Sequence, residues 1–151
     1  MQEDLLHERK RLMNNNGITT YQVTDNRILF AFGKTGQLQY ADLSDKSPLP
    51  RKSITGNSAR TDPKLCPGNV DLMAFFREGD LWLQDISMEE FSEVRLTNEA
   101  QHGQRIFAGF PSYIILEEFD RYSGFFWQPG NKGSKQRIAY EGKDLKSHDE
   151  M

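Results

Sequence analysis

The stretch LMAFFREGDLWL, residues 72–83, joins two apolar runs through a charged turn that contains a glycine. Aromatic and aliphatic runs on both sides of such a turn are typical of a β-hairpin. The same order of apolar run, glycine and second apolar run occurs upstream at 28–40 and downstream at 113–127. The sequence therefore contains three similar hairpin patterns, and not one isolated hairpin.

The glycines of these patterns, Gly36, Gly79 and Gly124, lie 43 and 45 residues apart. A hairpin that recurs every 40 to 50 residues or so is typical of the four-stranded blades of a β-propeller. We therefore predict a mainly β fold, a partial propeller of about three four-stranded blades over residues 17–141. A plain β-meander with glycine turns is the alternative, and the similar spacing disfavours it. Three blades are too few to close a ring, so the propeller is expected to be incomplete.

Other segments complete this domain organisation. Leucine and methionine at positions 5, 6, 12 and 13 form one apolar stripe, which predicts a short amphipathic helix within residues 1–16. Proline and serine punctuate 44–68, which predicts a long surface connection with little packing of its own. Residues 142–151 are polar and are expected to be a disordered tail. Strands are expected at 18–23, 27–32, 37–41, 71–76, 81–84, 93–97, 112–116, 125–128 and 136–140.

Composition narrows the classes of function. The formal net charge of −3 removes the general attraction to nucleic acid that basic proteins have. No run approaches the roughly 18 apolar residues of a membrane span, and the N-terminus lacks an apolar signal core. Cys66 is the only cysteine, so no internal disulfide can form, and the sequence lacks the Cys/His clusters of zinc sites. These features predict a cytoplasmic protein that needs no cofactor or metal and binds neither nucleic acid nor membranes.

The sequence holds few groups for independent catalysis. The histidines at 7, 102 and 148 lie in the predicted helix, a loop and the tail, and no Gly-x-Ser-x-Gly sequence occurs. GNKGSK at 130–135 lacks the spacing of a phosphate loop, so we interpret it as a hairpin turn. No neighbouring base activates Cys66, and a buried structural thiol is expected there. We predict no catalytic residue in this chain.

The third hairpin pattern differs from the others in its turn. Seven residues, EEFDRYS at 117–123, separate Leu116 from Gly124, where the first two patterns have three and two. An enlarged turn on a sheet scaffold is a common place for binding groups, and adjacent carboxylates can bind a cation. Composition alone also allows a simpler interpretation, in which the charged loop is only solvated.

The segment Glu117–Gly124, followed by Trp127, resembles the double-glutamate motif of the serine dipeptidyl peptidases of the prolyl oligopeptidase clan. Within that clan it is most similar to the cytosolic eight and nine types. The resemblance extends in order over most of residues 2–141. Its further segments are Glu8–Arg11 with Gly17, Ile18 and Tyr21, then Asp62–Pro67, Asp80–Trp82, Arg95–Thr97 and Arg137–Glu141.

The resemblance implies a function for the chain. In this family the propeller caps an α/β-hydrolase domain whose Ser-Asp-His triad removes dipeptides from peptide N-termini, preferably after proline or alanine. By resemblance, Glu117 and Glu118 bind the free α-ammonium group of the substrate, and Arg11 binds a backbone carbonyl oxygen. Two carboxylates suit an ammonium, which has three donors and no acceptor. For Arg11 the alternative is an ordinary solvated arginine of a basic helix.

The expected partners are therefore peptide N-termini and the hydrolase domain of a full-length enzyme, and a homodimer of that full-length form is compatible with the sequence. Since that hydrolase domain is not found in these residues, we expect the chain to be inactive alone. The sequence departs from the family at 98–116, which is shorter than expected, and after Glu141. Two alternatives stay open: a non-catalytic propeller module that binds proteins, and a fragment that does not fold alone.

Overall fold

A computed structural model of the chain describes residues 17–32, 37–44, 52–54, 60–88, 92–99, 106–130, 133 and 135–144. The predicted N-terminal helix of residues 1–16 lies outside them. The chain divides into two compact units, Met1–Gly56 and Asn57–Met151. The described elements are β1 (Ile18–Thr24), β2 (Arg27–Phe32), β3 (Leu38–Asp42), β4 (Lys52–Ser53), β5 (Thr61–Cys66), β6 (Asn69–Arg77), β7 (Asp80–Asp85), β8 (Glu93–Arg95), β9 (Ile106–Ala108), α1 (Tyr113–Glu118), β10 (Phe125–Trp127), β11 (Ile138–Tyr140) and β12 (Gly142–Asp144).

The first unit contains one antiparallel sheet with the strand order β1-β2-β3-β4. Asp25, with φ of 51°, lies in the tight turn between β1 and β2. Arg27 pairs in register with Asp42, and its Nε lies 2.7 Å from the Asp42 carboxylate. The buried residues of this unit come mainly from β2 and β3 and are Leu29, Leu38, Tyr40, Ala41 and Ile54.

The second unit begins with a sheet of the same kind, in the order β5-β6-β7-β8. Its central hairpin is the stretch at 72–83, and the turn residues Glu78 and Gly79 have φ of 51° and 87°. Two successive residues at positive φ form the hairpin turn whose twist matches the twist of the strands. Among the described residues, this sheet supplies most of those that are fully buried, including Leu65, Cys66, Met73, Ala74, Phe75 and Leu81. The predicted hairpin is confirmed.

A buried ion cluster connects the start of β8 to Arg60, which precedes β5, and to Arg77, which ends β6. The Glu93 carboxylate lies 2.9 Å from an Arg60 Nη and 2.5 Å from an Arg77 Nη, and its side chain is only 2% exposed. The Arg77 guanidinium lies 3.9 Å from the Trp82 ring centroid. Removing one partner from such a cluster leaves a buried charge unpaired, so the cluster fixes the edge strand firmly.

The expectation of a loosely packed connection over 44–68 is wrong for its last part. Residues Thr61–Cys66 form the edge strand β5, and Leu65 and Cys66 are fully buried. Pro63 does not prevent this, because proline is tolerated on an edge strand and at an irregularity. The pairing register of β5 with β6 shifts between Thr61 and Lys64, on either side of this proline.

The third hairpin pattern also folds differently from the prediction. Residues 113–118 form the helix α1, where the sequence predicted a strand at 112–116. A short apolar run does not distinguish a strand from a helix, and Ser112 supplies a helix N-cap. In the described residues the third segment forms two two-stranded sheets, β10 with β11 and β9 with β12, and no third four-stranded sheet.

The predicted polar tail begins later than residue 142. Residues Gly142–Asp144 form β12, which pairs antiparallel with β9. The remaining tail residues, 145–151, lie outside the described residues.

The fold class itself is confirmed, because the chain is mainly β and its two four-stranded antiparallel sheets are of the type that builds propeller blades. Across the described ranges, no helix has the length and apolar character needed to cross a membrane.

Candidate functional site

The helix α1 presents the predicted glutamate pair. Ser112 caps its N-terminus: the Ser112 side chain accepts a hydrogen bond from the Ile115 amide at 3.4 Å, and its carbonyl accepts one from the Leu116 amide at 3.0 Å. No residue of the helix is buried. Glu117 and Glu118 are its last two residues, and both side chains are exposed. The helix therefore displays both carboxylates to solvent.

The electrostatics at this end of the helix favour a cation. The last turn of a helix presents carbonyl oxygens without intrahelical partners, which carry partial negative charge. Two glutamates in that turn add full negative charges, and the last turn of the helix contains no basic residue. A bound cation would relieve this repulsion. In the described residues, no three His, Cys, Asp or Glu side chains cluster as metal ligands do.

The chain reverses immediately after the helix. Phe119 ends it, and Asp120 adopts a positive φ of 50°. The Arg121 amide then donates a hydrogen bond at 3.3 Å to the Ile115 carbonyl, which ties the turn back to the helix. The Arg121 guanidinium forms an ion pair with Glu141, the residue that follows β11. The turn and an ion pair thus hold the glutamate-bearing end of the helix.

Gly124 marks the entry to β10 and is a point of close backbone approach. A Cβ at this position would lie 2.6 Å from the carbonyl carbons of Gly109 and Phe110. The Gly124 carbonyl accepts a hydrogen bond from the Glu141 amide at 2.9 Å, and the Glu141 carbonyl accepts one from Gly109 at 2.8 Å. A glycine is required here because two backbones meet, whereas the sequence had placed it in a hairpin turn.

Lys64 of β5 joins this segment to the second four-stranded sheet. Its ammonium donates to the Ser123 hydroxyl and, at 2.6 Å, to the Phe125 carbonyl. It also lies 3.1 Å from the Asp62 carboxylate and 4.3 Å from the centroid of the Phe125 ring. The Trp127 indole donates to the Lys64 carbonyl at 3.2 Å. Lys64 therefore contacts the residues that directly follow the candidate site.

Asp80 provides a useful contrast, because it is a carboxylate that the fold itself uses. It is fully buried at the start of β7 and accepts hydrogen bonds from the Thr97 hydroxyl at 2.6 Å and the Glu99 amide at 3.0 Å, besides an ion pair with Arg95. Burial alone would raise the pKa of the Asp80 carboxyl, but the hydrogen bonds from these three residues hold it below its usual 3.8. Asp80 is therefore a structural group.

The predicted site residues have different outcomes. Glu117 and Glu118 lie together at one helix end, in the described part of the chain. Arg11 lies outside the described residues, so its predicted role stays a prediction. Lys64 and Glu141 were quoted in the resemblance without a role, and the structure connects both to the segment that carries the glutamates. The spacing of residues in the sequence does not predict these two contacts.

The comparisons with known proteins agree with the predicted resemblance. Dipeptidyl peptidase 8 of Homo sapiens is 32% identical to the chain over 160 aligned residues, and that of Mus musculus is 31% identical. The chain is thus similar to a segment of dipeptidyl peptidase 8. Each alignment covers 95% of the chain but only 18% of the relative's own length. The predicted resemblance to a dipeptidyl peptidase segment is confirmed.

The chain also matches solved structures over most of its length. The crystal structure of Porphyromonas gingivalis dipeptidyl peptidase 4 matches 88% of this chain and 23% of its own chain, with a TM-score of 0.48 and 15% sequence identity. No protein-family model matches the sequence. The relation to the dipeptidyl peptidases thus rests on the sequence alignments.

Proposed function

We propose that this chain supplies substrate recognition in the propeller of a serine dipeptidyl peptidase, with Glu117 and Glu118 binding the free α-ammonium group of a peptide. The observation that supports this most is the placement of both glutamates, exposed, at the C-terminal end of one helix. Similarity to dipeptidyl peptidase 8 over 95% of the chain supports the assignment to this class of enzyme.

The chemistry of the pair suits an ammonium ion. Neighbouring helical positions point about 100° apart, so Glu117 and Glu118 approach a common cation from different sides. The ammonium offers three hydrogen bonds, and charged acceptors make such bonds stronger than neutral ones. Fixing the amine at one point also fixes which peptide bond reaches a nucleophile, which explains release of two residues at a time.

The remaining parts of the proposal follow from the family resemblance of the sequence. An α/β-hydrolase domain would supply the serine nucleophile and release Xaa-Pro or Xaa-Ala dipeptides in the cytoplasm. Arg11 would hold a substrate carbonyl through its planar, permanently charged guanidinium. The propeller carboxylates orient the peptide but provide neither a nucleophile nor an oxyanion hole.

A titration by NMR tests the proposed site. The probes are Ala-Pro-amide and N-acetyl-Ala-Pro-amide, which differ in the charge of the N-terminus. Glu117→Gln or Glu118→Gln keeps side-chain size but removes charge, so each should weaken binding of the free-amine probe by about tenfold or more. Glu78→Gln, at an exposed turn of the second sheet, is the matched control.

Binding of the acetylated probe should be weak and unchanged by all three substitutions. Equal affinity of the wild-type chain for both probes would refute the proposed function. Glutamine variants that bind the free-amine probe as the wild type does would refute it as well.

A second function, a non-catalytic module that binds proteins, is favoured by one observation. Large apolar side chains on and after α1 are exposed, with Phe119 at 70%. The others are Tyr113, Ile114, Tyr122 and Phe126. This alternative predicts that the acetylated and free-amine probes bind equally, so the same titration separates the two functions.

A further inference from the structure

Lys64 makes a set of contacts that the proposed recognition site does not yet explain. It lies in the segment DPKLCP at 62–67, on the edge strand β5, and pairs in register with Ala74 of β6. Its side chain is only 20% exposed, whereas lysine side chains are mostly exposed in folded proteins. Its polar contacts reach across 59 and 61 residues of sequence to Ser123 and Phe125.

Polar and aromatic groups surround the Lys64 ammonium. A lysine ammonium has three protons to donate and no acceptor. That of Lys64 donates hydrogen bonds to two acceptors, the Ser123 hydroxyl and the Phe125 carbonyl at 2.6 Å, and forms an ion pair with the Asp62 carboxylate at 3.1 Å. The rings of Phe125 and Phe126 lie 4.3 and 4.9 Å from it, which adds cation–π attraction. Lys64 therefore anchors the segment Ser123–Phe125 to β5.

The helix that bears the glutamates cannot fix its own position. It has six residues, and none of them is buried. Helices this short are not stable alone and depend on neighbouring contacts. The segment that follows it is firmly placed, because Phe125 is fully buried in a cluster with Ala74 and Leu81 of the second sheet. The Lys64 contacts therefore lie where the exposed helix joins the packed core.

We propose that Lys64 is a positioning residue for the glutamate pair: by holding Ser123 and Phe125 against β5, it sets where α1 presents Glu117 and Glu118 to an amine. This inference rests on the proposed function, since it assumes that the glutamates bind an ammonium group. It assigns a role to a residue of the 62–67 segment, which the proposed function leaves without one.

The test compares the affinities of the full 151-residue chain for Ala-Pro-amide and N-acetyl-Ala-Pro-amide, and reports their ratio. Lys64→Met keeps the apolar stem and removes the ammonium, so we expect the preference for the free amine to fall about three- to tenfold. Lys64→Arg keeps a cation with donors and should lose less. Lys52→Met is the control, because Lys52 also lies near an aromatic ring, 5.9 Å from that of Tyr40, but on β4.

The ratio separates positioning from mere structural support. Loss of folded protein would weaken both probes equally and leave the ratio unchanged. Should Lys64→Met fail to fold, Ser123→Ala removes one of the three ammonium contacts and is expected to lower the ratio two- to threefold or so.

Two results overturn different claims. If the glutamine variants at 117 and 118 lower the ratio but Lys64→Met, or Ser123→Ala in its place, keeps the wild-type ratio, the positioning role of Lys64 is wrong. If the glutamine variants themselves keep the wild-type ratio, the proposed function is wrong and Lys64 has no amine site to position.

Discussion

Asp80 and the pair Glu117 and Glu118 are carboxylates of the same unit in opposite environments. Asp80 is fully buried and meets Arg95, Thr97 and the Glu99 amide. The two glutamates are exposed at the end of a helix that buries nothing. The first carboxylate is enclosed by the fold and hydrogen-bonded there, whereas the other two are exposed to solvent at a helix end.

This difference shows how binding groups can be distinguished from structural ones. A buried carboxylate must be paired because desolvation of an unpaired charge is costly. An exposed acidic pair at a helix C-terminus is disfavoured by the partial charges there. Acidic groups that cost stability and remain accessible are the ones to test for ligand binding.

The largest expected change in stability comes from removing a side chain of the buried core. Phe125→Ala removes a fully buried ring from the cluster with Ala74 and Leu81, and should lower the free energy of unfolding by about 3–5 kcal/mol. Phe119→Ala, at a side chain 70% exposed, should change it by less than about 0.5 kcal/mol. Urea denaturation measures both, and similar losses for the two variants would contradict the described core.

The substitution Asp80→Asn has the next largest expected effect on the free energy of unfolding. It removes the charge that Arg95 and Thr97 meet, and should cost about 1–3 kcal/mol of unfolding free energy near neutral pH. Because the folded pKa of Asp80 is lowered, its stabilisation is present above the unfolded value near 3.8 and is lost as pH falls through the folded pKa.

The wild-type advantage over Asp80→Asn should therefore shrink in acid below about pH 4. Thermal unfolding of both proteins from pH 7 to pH 3 measures this. Glu118→Gln is the control from the exposed side of the comparison, and should leave stability nearly unchanged at neutral pH. A constant gap between wild type and Asp80→Asn across the range would argue against the lowered pKa.

The smallest effect concerns the ion pair that holds the turn after the helix. Arg121 and Glu141 are each 37% exposed in their side chains, so solvent screens their attraction. Arg121→Ala should cost at most about 1 kcal/mol, and a double-mutant cycle with Glu141→Ala isolates the pair. A coupling energy of several kcal/mol would show that the pair is far better shielded than its exposure indicates.

Local patterns predicted the parts of this fold that local interactions determine. The hairpin at 72–83 follows from two apolar runs and a Glu-Gly turn, and its strands and turn form as expected. The run at 113–116 fits a strand or a helix equally, and the Ser112 cap decided the outcome. The strand at 61–66 was missed because Pro63 suggested a loop, while burial of Leu65 and Cys66 outweighs that preference.

The candidate site was predictable only in part. The acidic pair at 117 and 118 is visible in the sequence as an enlarged, charged turn. The contacts of Lys64 with Ser123 and Phe125 join residues about 60 positions apart and depend on tertiary packing. No periodicity or spacing within one segment reports such contacts, so the support of the site becomes visible only in the folded chain.

Carbodiimide coupling tests the central claim most directly, because it joins a bound amine to the carboxylate that it contacts. The chain is treated with Ala-Pro-amide and a carbodiimide, and the coupled residues are located by mass spectrometry. The account predicts adducts concentrated on Glu117 and Glu118 with the free-amine peptide, and no adducts with the acetylated peptide, which has no amine to couple. Adducts spread evenly over exposed carboxylates such as Glu78, with no enrichment at 117 and 118, would contradict it.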